Sequence, residues 1–265
     1  MKKRLLSIVI VIVVLVVIGG LSAAFLFEDK HVAQGRRLYA YYCAHCHGAK
    51  GRGDGFNARN LDPPPSDHAD SKDVYMANKT NQELFDVDNL GGRENGKSPF
   101  MPPFGNVLSE EELWSLVAYL RTLHPNKAPK IDFSKTYKTE RPVFPTITRA
   151  DFDQKKVELQ VDDPEAVERL VRIGERIFEE KYGCTACHRV NGTGGQVGPF
   201  LDRTGFRLQA SYEYRWIKNP QSIKPDTKMP NFGLPDRDAM AITLYLESLK
   251  GEAGQTRKEV SLQRK

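Results

Sequence analysis

Every cysteine in this chain belongs to one of two five-residue words. Cys43-Ala44-His45-Cys46-His47 is the first, and Cys184-Thr185-Ala186-Cys187-His188 is the second. Two residues between the cysteines let one turn of chain carry both thiols to the two vinyl groups of a porphyrin. The histidine that follows is then brought under the ring as an axial ligand of iron. Zinc wants about four N or S donors, and each word offers three. A dithiol redox motif wants a βαβ setting, which the flanking sequence lacks. A disulfide inside each word would leave the histidine without a role. The expectation is two covalently bound haem c groups, held by Cys43, Cys46 and His47 and by Cys184, Cys187 and His188.

The chain begins with Lys2-Lys3-Arg4 and an apolar run from Leu5 to Phe27, closed by Glu28-Asp29-Lys30. That run is long enough to cross about 30 Å of hydrocarbon as a helix. Basic residues ahead of it place the N-terminus in the cytoplasm and the rest of the chain outside. A cleaved signal peptide would use Ser22-Ala23-Ala24, but Phe25-Leu26-Phe27 continue the run past that site. The reading is an uncleaved anchor in lipid, in the bacterial cytoplasmic membrane, with the haem domains on the periplasmic side. The net charge of +5 is mild. With no concentrated basic tract there is no case for nucleic acid.

Beyond the anchor the chain repeats itself. Gly35-x-x-Leu38-Tyr39 precedes the first haem word, and Gly174-x-x-Ile177-Phe178 precedes the second. Met101-Pro102-Pro103-Phe104-Gly105 follows the first, and Met229-Pro230-Asn231-Phe232-Gly233 follows the second. Each copy closes with a helical pattern. Ser109 to Leu123 opens on a Ser109/Glu112 capping box, and the other pattern runs from about Pro235 to Leu249. The predicted layout is an anchor (1–30), domain one (31–124), a Pro-rich linker (125–162), domain two (163–250) and a charged tail (251–265). The linker is expected to be stiff and extended, or to wrap domain one as a strap. Asp163 and Pro164 start a helix as cap and first residue.

These words, over His31–His124 and Pro164–Lys250, make the chain resemble the monohaem class I cytochrome c family twice over. The resemblance implies an all-α fold of two tandem cytochrome c-like domains, preceded here by the one transmembrane helix. A first helix would cross a last helix beside the haem: Gly35 and Tyr39 against Trp114 and Tyr119, and Gly174 and Phe178 against Tyr245. It implies loop methionines as sixth iron ligands, Met101 with His47 and Met229 with His188. Met240 reads as core, and Met76 as a lone methionine in a polar loop. His68, after Pro63-Pro64-Pro65, is a lesser rival for the sixth position. His31, His45 and His124 read as structural or solvated. A proline carbonyl would orient each ligating histidine: Pro199 for His188, and one of Pro63 to Pro65 for His47. Trp216-x-x-Asn219-Pro220 resembles the family's methionine-side loop, and domain one has no counterpart.

Iron held by His and Met has no open position, so the resemblance implies an electron carrier and not an enzyme. The layout is similar to dihaem subunits of haem–copper oxidases and quinol–cytochrome reductases. Partners would be a membrane redox complex and a soluble periplasmic carrier in a respiratory chain. The alternatives are a dihaem peroxidase or a haem-based redox or gas sensor. Arg203, Arg207, Arg215, Lys218, Lys224 and Lys228 make the methionine side of domain two basic, read as a solvated face in preference to a docking face.

Overall fold

The computed structural model describes residues 29–70, 74–124 and 128–251. Residues 1–28 of the expected anchor (1–30), with all of its apolar run, and residues 252–265 of the charged tail (251–265) lie outside the described residues, while Asp29 and Lys30 open the first helix of domain one. Among the described residues, no helix is long and apolar enough to cross a membrane.

In domain one, α1 (Lys30–Tyr42) is capped by Asp29, whose side chain accepts from the His31 N–H. The haem word follows directly as α2 (Ala44–His47). Then come α3 (Val74–Asn78), α4 (Asn81–Glu94) and α5 (Glu110–Leu123). Both longer helices open on reciprocal capping boxes, Thr80 with Glu83 and Ser109 with Glu112. Each box satisfies two N–H groups that the first turn leaves unpaired. Helices α1 and α5 cross at Gly35, where a Cβ would overlap the Ser115 carbonyl and stand 2.9 Å from Tyr119 Cβ. Tyr39 and Tyr119 meet there, ring centroids 5.2 Å apart. Trp114 does not share that crossing. It stacks on Phe85 of α4 at 4.5 Å, because α5 buries two faces, one on α1 and one on α4. Met76 is not a solvated loop methionine either. It lies on α3, fully buried with Leu84 and Val117.

The linker is a strap. Its first part runs over domain one: Pro129 accepts from Asn81 at 2.7 Å, Phe133 stacks on His31, and Arg141 pairs with Glu112 at 2.6 Å. It then reaches domain two, where the Phe144 and Pro145 carbonyls accept from Asn219. A helix that the sequence pattern does not announce follows, α6 (Arg149–Glu158), started by a Thr148/Asp151 capping box. Only Phe152 on it is buried, against Tyr214, so its apolar periodicity is too sparse to read.

Domain two begins with α7 (Pro164–Arg176), whose first N–H groups are held by Asp163. The helix widens into a π-type turn at Ile177–Lys181, and the second haem word follows as a tight 3₁₀ turn at Cys184–Ala186. A two-residue antiparallel ladder pairs β1 (Arg189–Val190) with β2 (Thr193–Gly194), joining Arg189 to Gly194 and Val190 to Thr193. Helices α8 (Thr204–Arg207), α9 (Ala210–Lys218), α10 (Pro220–Ile223) and α11 (Asp236–Ser248) complete it. Gly174 of α7 lies against the Ala241 carbonyl and Tyr245 of α11, and the Phe178 and Tyr245 rings are 5.5 Å apart. This repeats the domain-one crossing. The two domains touch. Tyr41 donates to the Asp226 carbonyl at 2.6 Å, Lys228 Nζ lies 4.6 Å from the centre of the Tyr41 ring, and Asn106 donates to the Asn231 carbonyl at 3.0 Å.

Candidate functional site

In domain two the chain bends back at Gly183, in the left-handed region with φ 57°. The N–H groups of Cys187 and His188 both reach the Cys184 carbonyl, at 3.1 and 3.0 Å. This winds the haem word into one turn. Cys184, Cys187, His188 and Met229 all line a single cavity of about 380 Å³, whose other walls include Phe178, Leu201, Trp216, Ile242 and Leu246. His188 Nδ1 lies 2.9 Å from the Pro199 carbonyl. With the proton on Nδ1, the Nε2 lone pair is left for a metal. Gly198 packs flat on this ring, and a Cβ there would overlap it. Burial lowers the His188 pKa, which favours the neutral, metal-ligating form.

Met229 is held from three sides. Its carbonyl accepts from Gln221 at 2.8 Å, its N–H donates to Thr227 Oγ1 at 3.3 Å, and Trp216 Nε1 donates to its sulfur at 3.0 Å. Thioether sulfur has two lone pairs, so one indole N–H leaves one for iron. A buried apolar cavity that gathers two thiols, an oriented imidazole and a thioether fits covalently bound haem c.

In domain one, Cys43 belongs to a buried cluster with Tyr39, Tyr42 and Phe104, and the partly buried Met101 packs against it. The Met101 carbonyl accepts from Gly92 at 2.8 Å, just after α4 leaves helical geometry at Gly91 (φ 81°). His47 Nδ1 faces the Ser66 carbonyl at 3.2 Å. The acceptor is therefore none of Pro63 to Pro65 but the next residue. The Pro65 carbonyl instead abuts Gly53, where a Cβ would come within 2.5 Å of it. His68 stacks face to face on His47, centroids 4.4 Å apart and tilted 20°. Ligands on opposite faces of one porphyrin meet end to end, so His68 does not stand opposite His47. His31 is buried on Phe133, and His124 Nε2 lies 3.0 Å from the Asp70 carbonyl. Both are structural.

None of the four cysteines is joined in a disulfide, so both sulfurs of each word would be available for thioether bonds to haem. Two buried carboxylates escape a motif search. Asp88 Oδ2 and both Glu213 oxygens have no hydrogen-bond partner among the described residues, and burial raises each pKa to about 7. Glu213 lines the cavity of His188 and Met229. Its only sequence signal is a lone acid among the aromatic residues of α9. The basic face is partly consumed: Lys218 pairs with Asp236 at 3.0 Å, and Lys228 covers Tyr41.

The cytochrome c family model matches residues 32–124 and 171–250. This chain belongs to the cytochrome c family. Membership implies covalently bound haem c and electron transfer by its iron, and the two matched regions are its two cytochrome c domains. The chain is similar to a cytochrome c oxidase subunit 2 of Alkalihalophilus pseudofirmus, 33% identical over 113 residues. The match covers 39% of this chain and 33% of that protein, so the chain spans about a third of the length of this curated relative. Among solved structures it is similar to a reducing HAO-like protein complex of Kuenenia stuttgartiensis. The identity is 23%, covering 82% of this chain and 95% of that one, at a TM-score of 0.29.

Proposed function

We propose that this cytochrome c carries two haem groups and passes electrons singly between redox proteins. One haem would be held by Cys43, Cys46, His47 and Met101, the other by Cys184, Cys187, His188 and Met229. The cavity shared by the last four residues carries the reading, together with its repeat in the domain-one sequence. Bound haem c supplies a one-electron iron couple, with a potential set by axial ligand, burial and hydrogen bonds. The protein's own residues do the rest. Pro199 and Ser66 orient the two imidazoles, and Trp216 and Gln221 hold Met229 in place. The apolar walls exclude water, which limits the rearrangement that a change of charge demands. A methionine in each copy leaves no open coordination position, which supports a carrier over a peroxidase or a sensor.

In this reading Leu5–Phe27 anchors the protein in the bacterial cytoplasmic membrane, with both domains on the periplasmic side. The anchor restricts it to partners at that surface: a quinol-oxidising or terminal reductase or oxidase complex, and a soluble periplasmic carrier. The similarity to a cytochrome c oxidase subunit supports work inside a respiratory assembly. The test is the mass of the denatured mature chain, with an absorption spectrum of the native one. Polypeptide plus two haems, with a methionine-to-iron charge-transfer band from both, is expected. Bare polypeptide, or high-spin ferric haem that binds carbon monoxide tightly when reduced, overturns the reading.

A further inference from the structure

Asn57 lies after the first haem word and belongs to no motif. Its side chain is 0% exposed, and every hydrogen-bonding position on it is used. Nδ2 donates to the Ala186 carbonyl at 2.7 Å and to Cys46 Sγ at 3.4 Å. Oδ1 accepts from the Gln196 N–H at 3.1 Å and from Asn60 Nδ2 at 3.1 Å. Its backbone N–H donates to the His45 carbonyl at 2.9 Å. A primary amide has two donors and two acceptor lone pairs, so no capacity is left over. Cys46 and His45 lie in the first haem word, Ala186 lies in the second, and Gln196 lies in the loop after it. One buried amide thus binds both words.

The surroundings are shaped for this contact. Gly195 packs so closely that a Cβ would overlap the Ala186 carbonyl and stand 2.9 Å from Asn57 Oδ1. Along the same seam, Pro99, Phe100 and Pro102 of domain one help to wall the domain-two cavity, and Gly183 packs against the Pro99 carbonyl. The loop that carries Met101 is therefore also a wall of the second site.

We infer that Asn57 is a positioning residue for electron transfer between the two sites, fixing the Cys46 sulfur against the Cys184–His188 turn. This rests on the two-haem reading. One electron leaves a ferrous iron, which becomes ferric, and reduces the ferric iron of the other site. No proton moves and no domain needs to dock. Two sites held together at low dielectric also sense each other's charge, so reducing one makes reducing the other harder.

The test uses the full-length, haem-loaded protein with Asn57→Asp and Asn57→Leu. Asn57→Asp keeps the shape and loses both donated hydrogen bonds. Asn57→Leu loses both buried bonds that cross to domain two, to Ala186 and from Gln196, which raises the population of parted domains about thirtyfold; Asn57→Asp loses only the first of them, for about fivefold. The expected result is two haems by mass and unchanged visible spectra. Magnetic broadening between the two ferric irons should weaken, and the gap between the two midpoint potentials should narrow. Asn57→Ser, which still offers one donor, should fall between these variants and the native protein. Variants with two haems, native broadening and an unchanged gap overturn the inference. If Asn57→Leu does not accumulate, Gly195→Ala pries the same contact open from domain two and answers the question. A native protein lacking two haems instead fails the reading underneath, and the mass shows this separately.

Discussion

Replacing Gly174 with alanine sets two effects of opposite sign against each other. Alanine in mid-helix is favoured over glycine by about 1 kcal/mol, so propensity alone would stabilise α7. The added Cβ, however, would overlap the Ala241 carbonyl and stand 2.9 Å from Tyr245 Cβ. The carbonyl belongs to the backbone of α11 and has no rotamer to retreat into. The helices must part, which loosens Phe178 and Tyr245 at the end of the crossing that borders the cavity. Overpacking of this kind costs about 1–3 kcal/mol, and two rigid obstacles argue for the upper end. The net expectation is a loss of about 2 kcal/mol, a fall of roughly 10 °C in the melting temperature of domain two. Thermal unfolding followed at the haem absorption of the loaded protein measures it. A melting temperature that rises would show propensity prevailing and refute the close-crossing argument.

Gly35→Ala should destabilise domain one comparably, since its Cβ meets the Ser115 carbonyl and Tyr119 Cβ in the same way; parallel unfolding of that domain checks it. Met229→Leu should abolish the charge-transfer band of one site and leave the other, read in the near-infrared spectrum. Trp216→Phe removes one hydrogen bond of about 1 kcal/mol from the Met229 sulfur and should lower that site's potential by up to about 40 mV while keeping methionine ligation, as redox titration would show. Glu213 has its pKa raised by burial to about 7, so its contribution to stability is full below its ordinary value and is lost as pH rises through 7. Glu213→Gln should therefore gain up to about 3 kcal/mol over the native protein at alkaline pH and little near pH 4, measured by denaturant unfolding across pH.

Features encoded by neighbours in the chain are legible in the sequence. The haem words, the paired Met-Pro loops, the Ser109/Glu112 box and the Asp163-Pro164 start each rest on contacts a few residues apart. The repeated glycines Gly35 and Gly174 announced the crossing because only a missing side chain lets two helices approach so closely. Where reading failed, the deciding contact was distant. α6 has one buried residue, and its helicity shows only in the Thr148/Asp151 cap. Trp114 turns to Phe85 because α5 has two neighbours, and Ser66 takes the place of the prolines because the Pro65 carbonyl is packed against the bare Cα of Gly53 and not against His47.

From sequence alone came the chemistry of each site, since thiol spacing and an adjacent imidazole are local covalent facts. How the two sites face each other was decided by tertiary structure. Asn57, Asp88 and Glu213 look like ordinary polar residues in the chain. Burial changes what each one costs and what it must bond to, and burial is a property of the packed whole.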